Sequence, residues 1–162
     1  MTKVAAREVG RDPLAGTPGD VALRRLQTAG LLRFAALSEA AYLHYLDLVG
    51  APSPDGLDDG EAATVAYAVE VGAVPVLDER KGTRIAIPLC ASPPICTLDL
   101  LSHPRLRTEL GDAALADAVH SALRHARMRV PQEFRTWVLD LLGAERLREC
   151  SSVPKRWVRA LP

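Results

Sequence analysis

An α/β fold with a parallel sheet, followed by a C-terminal helical extension, is what this sequence predicts. Three observations point there. Short apolar runs alternate with helix-patterned segments through the first part of the chain, as in strand–helix–strand units. Beyond Leu98 the pattern becomes wholly helical. Finally, 48% of the 162 residues are apolar and only 4% aromatic, so the core must be built from Ala, Leu and Val. We expect an α/β domain over 1–103 and a helical extension over 104–162 packed on it.

The elements follow in order. "TKVAAREV" has helical composition and stops at Gly10. "RDPLAGTPGD" spaces Pro and Gly too closely for a regular element. "DVALRRLQTAG" opens on an N-cap candidate, Asp20, and closes on Gly30. "LLRFAAL" reads as a strand, and "SEAAYLHYLDLVG" as a helix capped by Ser38 and stopped by Gly50. "DDGEAATVAYAVEVG" carries Ala62, Val65, Ala66 and Val69 at i, i+3, i+4 and i+7, one apolar helical face. "AVPVLD" has the apolar run of a buried parallel strand despite Pro75. "ERKGTRIAIPLC" is a basic-fronted helix ended by Pro88, and "PPICTL" a further strand. Three helical segments complete the chain: "DAALADAVHSALRHARMRV", "PQEFRTWVLDLLG" and "AERLREC".

Twenty basic residues balance twenty acidic ones, so bulk charge names no partner. Their distribution is polarised. From Ser38 to Glu79 there are nine acids and no Lys or Arg, whereas from Ser121 to Pro162 nine basic residues face four acids. The three cysteines, Cys90, Cys96 and Cys150, have no zinc spacing and read as buried thiols in a reducing cytoplasm. No signal-peptide core and no long uncharged apolar stretch occurs, so we expect a soluble protein without membrane attachment.

Acids at both ends of the central unit invite two readings. Asp78 closes "VPVLD", and ligands of open parallel sheets gather beyond strand ends. Glu61 lies in the first turn of the preceding helix. If that turn reaches the same crevice, two carboxylates converge on a hard cation such as Mg²⁺ or Mn²⁺. Alternatively, Asp58 and Glu61 form a capping box, and Asp78 caps the helix starting at Glu79. Spacing alone leaves both open.

The run "LDDGEAATVAYAVEVGAVPVLDERKGTRIA" resembles the C-terminal half of a PIN-like domain, and the resemblance extends from "VAAREVG" to "ICTLDLL". It implies a three-layer α/β/α domain and a metal-dependent ribonuclease of the kind found as toxins in bacterial toxin–antitoxin pairs. Matched residue by residue, it puts Glu8, Glu61 and Asp78 in the roles of catalytic acids and Mg²⁺ or Mn²⁺ ligands. The ion would neutralise a phosphate oxygen and activate water for in-line hydrolysis of RNA. Arg80, Lys81 and Arg84 would touch RNA phosphates, or else form a solvated helix face. The family's first strand and its Asp have no counterpart before Val4, so the expected sheet lacks that strand. A later-than-true start, a strand from another chain or a second copy, or a repacked non-catalytic protein would each account for this.

The alternative expectation is an inactive PIN-like subunit serving protein interaction or regulation. Leu115, Val119, Ala122, Leu123 and Ala126 could bury against a cognate partner or a second copy in a homo-oligomer. The basic segments "RHARMR" and "KRWVR" could attract RNA, and Trp137 and Trp157 could stack bases or anchor a core.

Overall fold

The computed structural model describes residues 1–10 and 18–159; of the loop expected over 11–20, residues 11–17 lie outside the described residues, and a helix begins within it at Gly19. Regular structure among them is entirely helical. The elements are α1 (Lys3–Glu8), α2 (Gly19–Thr28), α3 (Glu39–Gly50), α4 (Asp59–Val71), α5 (Arg80–Ala86), α6 (Thr97–Leu101), α7 (Pro104–Arg124), a 3₁₀ turn (Gln132–Phe134), α8 (Arg135–Arg148) and α9 (Lys155–Arg159).

The expected parallel sheet is therefore corrected, and with it the resemblance to a PIN-like α/β/α fold. Among the described residues, the three segments read as strands pair with other backbone at two isolated parallel bridges, Thr2 with Ala35 and Val76 with Ile95. Each is held by a pair of backbone bonds: Lys3 N–H to Ala35 O at 2.9 Å and Ala35 N–H to Met1 O at 3.0 Å; Leu77 N–H to Ile95 O at 2.8 Å and Ile95 N–H to Pro75 O at 3.0 Å. The ladders stop there for a local reason. Pro75, Pro93 and Pro94 have no N–H to donate. At the other bridge, Thr2 already caps α1, its Oγ1 accepting from Ala5 N–H at 3.2 Å, so the chain turns helical after two residues. Val74 and Val76, which a buried strand would cover, are 46% and 39% exposed.

The chain divides into two compact units, Met1–Ile95 and Cys96–Pro162. In the first, α4 is the centre. Its Ala62, Ala63, Val65 and Ala66 are fully buried, and such small side chains let neighbouring helix backbones come close. Asp58 starts it by accepting from Glu61 N–H at 2.9 Å, and Ser38 starts α3 in the same way through Ala41 N–H at 3.2 Å. Ser38 also donates to Glu70 near the end of α4, while Tyr45 donates to Asp59 at its start, 2.7 Å away. Those two tethers set α3 and α4 antiparallel. Leu57, Val65, Leu77 and Ala86 join α4 to α5 and to the extended segment ahead of it.

The second unit holds the larger core. Leu98 of α6, Leu115, Val119 and Leu123 of α7, Val138, Leu142 and Leu147 of α8, and Trp157 of α9 form one buried cluster. Helices α7 and α8 are each broken at a glycine, Gly111 (φ 74°) and Gly143 (φ 68°). The second break falls where the sequence separates "PQEFRTWVLDLLG" from "AERLREC".

Candidate functional site

In the first unit the residues singled out by the sequence gather around a small acidic cleft of about 260 Å³ between the end of α1, the first turn of α4 and the segment leading into α5. Glu8, Asp58, Glu61, Asp78 and Glu79 all line it. How each acid arrives is local chemistry. Glu8 ends α1 and accepts from Gly60 N–H at 2.8 Å, placing its charge on the positive end of α4. A Cβ at position 60 would displace that carboxylate, so the glycine is what lets Glu8 sit on the helix start. Glu61 points the other way, into the space left by Gly82 of α5, where an added Cβ would lie 2.5 Å from Glu61 Oε1.

Glu61 is the anomaly of the site. Both of its oxygens are buried and neither has a hydrogen-bond partner among the described residues. Of the capping box read from the sequence, only the Asp58 half forms. Burial first, then the negative charges of Asp58 and Glu79, push the Glu61 carboxyl up to about 7; Lys81 opposes the shift and Glu8 adds to it. A carboxylate surrounded by acids and without a donor carries a proton readily near neutrality. Replacing Gly82 by alanine should evict the carboxylate into water, because a flexible side chain gives way before a helix backbone does. The pH dependence of thermal unfolding between about 4.5 and about 7 should then flatten; an unchanged profile would show that Glu61 is not held by the Gly82 gap.

The basic residues expected to touch phosphate are turned to other tasks. Lys81 Nζ donates to Gly56 O at 2.7 Å, and Arg84 Nη2 pairs with Asp55 Oδ1 at 2.6 Å on the surface. Both pin α5 to the turn before α4. Arg80 is exposed in the first turn of α5. Trp157 is buried in the second unit beneath the Arg135 guanidinium, 5.7 Å from its ring centre, and Trp137 meets Phe134 edge-on at 6.5 Å.

These placements correct the functional expectation. Glu8, Glu61 and Asp78 share a cleft, yet among the described residues no group of three or more His, Cys, Asp or Glu side chains is placed to hold a metal ion. The metal-dependent route to in-line phosphodiester hydrolysis needs several hard oxygen ligands on one cation. With neither that ligand set nor the sheet that positions it, the reading as a PIN-type, metal-dependent ribonuclease or toxin–antitoxin toxin is withdrawn, as is the inactive PIN-like subunit.

A second surface escaped the sequence reading. Helix α3 is apolar on both sides. Ala41, Tyr45 and Leu48 face the core, whereas Tyr42, Leu43, Leu46 and Val49 are 50%, 60%, 45% and 37% exposed. Tyr42, Leu46 and Val49 recur at i, i+4 and i+7, so they stand on one outward face. Near-uniform hydrophobicity around a twelve-residue helix was the available signal, since a helix covered on one side only carries polar residues on the other.

No described helix is long and apolar enough to cross a membrane. In comparisons with protein-family models, curated proteins and solved structures, nothing matches this chain.

Proposed function

We propose that the chain is a protein-association module that pairs with a second copy of itself through the outward face of α3. The observation that carries this reading is the contiguous row of Tyr42, Leu43, Leu46 and Val49 left in water on a well-capped helix. Exposed apolar residues grouped in this way mark interaction sites, in contrast to scattered single ones. The four side chains carry no charge themselves, with the exposed acids Glu39 and Asp47 beside them, and an isologous pair would cover the row on both copies at once.

Magnitudes set the expected strength. Removing the exposed halves of four such side chains from water is worth on the order of 4 kcal/mol per copy. Association costs at least about 4 kcal/mol in lost freedom. Doubled over the pair, the gain of about 8 kcal/mol falls inside the roughly 4–15 kcal/mol range of that cost, so the expected dimer is weak and concentration-dependent. We assign it to a reducing cytoplasm, on the strength of the three free thiols Cys90, Cys96 and Cys150.

Hydrogen–deuterium exchange of the full chain tests this reading. Backbone amides over residues 42–49 should exchange more slowly as protein concentration rises, and the effect should vanish in Leu46→Glu. Exchange in α3 that ignores concentration would contradict it.

A further inference from the structure

The first unit carries a second surface of opposite electrical character. Between α1 and α2 runs a groove of about 770 Å³, within the range of sites that enclose several side chains. Its floor is Leu23, 8% exposed, with half-buried Phe34, and Val9, 41% exposed, stands at its edge. Its rim is basic: Lys3 and Arg7 from α1 and Arg24 from α2, all exposed. Asp20 is the one acid among its described lining residues, and it faces Arg24 at 3.7 Å across a weak surface pair. Lys3 and Arg7 make no ion pair among the described residues, and Arg25 adds a further cation in the adjoining depression along α2. The two helices are fixed at one end, where Gly19 lies against the backbone of Val9 and Gly10 with no room for a Cβ.

We propose that this groove is a docking site for an acidic peptide segment of a partner protein, one that seats apolar side chains on the floor and carboxylates against the cations of the rim. Charge complementarity selects the occupant. Two unpaired cations, Lys3 and Arg7, and Arg24 weakly paired with Asp20, around an apolar floor suit a segment mixing Leu-type residues with Glu or Asp, in which floor contacts give affinity and rim charges give register and partner choice. A nucleic acid fits less well. Its phosphates demand rows of cations and its bases demand stacking faces, whereas this floor offers one aromatic ring, Phe34, and the wall carries Asp20. The site is separate from α3 and stands whether or not the chain self-associates.

Fluorescence anisotropy with the full chain tests it. The probe is a labelled synthetic peptide with leucines on one helical face and glutamates beside them. Three competitors are a lysine-for-glutamate version, a serine-for-leucine version and a single-stranded RNA oligomer. The acidic–apolar peptide should bind, weaken as salt rises, and lose about tenfold or more in affinity in the double variant Arg7→Glu, Arg24→Glu. The lysine and serine peptides should fail to compete. If the double variant does not fold, as judged by circular dichroism, Arg24→Gln alone must still weaken binding by about threefold. The proposal is overturned if the acidic peptide does not bind, if the lysine peptide binds equally, if neither variant changes affinity, or if RNA displaces the peptide and loses its own binding in the same variants.

Discussion

Replacing Leu123 by alanine is expected to destabilise the C-terminal unit by about 3 kcal/mol. Leu123 lies near the end of α7, is fully buried, and belongs to the cluster formed by Leu98, Leu115, Val119, Val138, Leu142, Leu147 and Trp157. Truncation removes three buried carbons and leaves a cavity that α6, α7 and α8 can close only in part. The backbone nearby is held as well: Ser152 Oγ donates to Leu123 O at 2.9 Å, fixing the chain after α8 against α7 and limiting how far the site can collapse. Spectroscopy isolates the effect. Both tryptophans, Trp137 and Trp157, are in this unit, whereas all three tyrosines, Tyr42, Tyr45 and Tyr67, are in the other. Urea unfolding followed by tryptophan emission should therefore show the loss as a lower midpoint at unchanged slope. A shift below about 1 kcal/mol would mean that Leu123 is not in the core, because exposed sites typically move stability by ~0.5 kcal/mol or less.

Replacing Glu61 by glutamine is expected to act in the opposite direction, raising stability at alkaline pH. The folded state holds the Glu61 proton up to about 7, against 4.5 for the free side chain, so its contribution is most favourable below 4.5. That contribution declines as pH rises from 4.5 through about 7 and is lost above it. At ~1.4 kcal/mol per pH unit the full effect would be about 3.5 kcal/mol. The residue as a whole keeps partial exposure, and solvent screening reduces the expectation to about 1–2 kcal/mol. Glutamine has the same shape and no charge to strand beside Asp58 and Glu79. Thermal unfolding of the two proteins should coincide near pH 4.5 and separate progressively toward pH 8, with the glutamine variant the more stable. Curves that stay parallel across that range would place the Glu61 carboxylate in water.

Much of this helical scaffold is legible in the sequence, because caps and stops are local. Ser38 and Asp58 each accept from the backbone N–H three residues on, and the runs ending near Gly50 and Gly143 stop or break there. The resemblance, and not spacing, brings Glu8, Glu61 and Asp78 together, and their sharing of one cleft is a tertiary fact. What pattern could not decide is pairing. The apolar runs at 31–37, 73–78 and 93–98 have the composition of buried strands, but a ladder needs donors on both partners and Pro75, Pro93 and Pro94 withhold them. Similarity of motif to a PIN-like domain carried the expectation of a sheet past that obstacle. The roles of Lys81 and Arg84 were equally hidden, because their acceptors, Gly56 O and Asp55, come from a turn whose proximity to α5 is a tertiary fact. The outward row on α3 was visible as excess hydrophobicity; which half would be covered depended on where α4 packs.

Sedimentation equilibrium of the full chain beside Leu46→Glu tests the association reading most directly. The wild-type mass should rise with concentration from one chain of 17.4 kDa toward two, and the variant should remain at one across the same range while keeping its helical circular dichroism. A wild-type chain that stays at one mass, or a folded Leu46→Glu protein that dimerises as readily, would contradict self-association through α3.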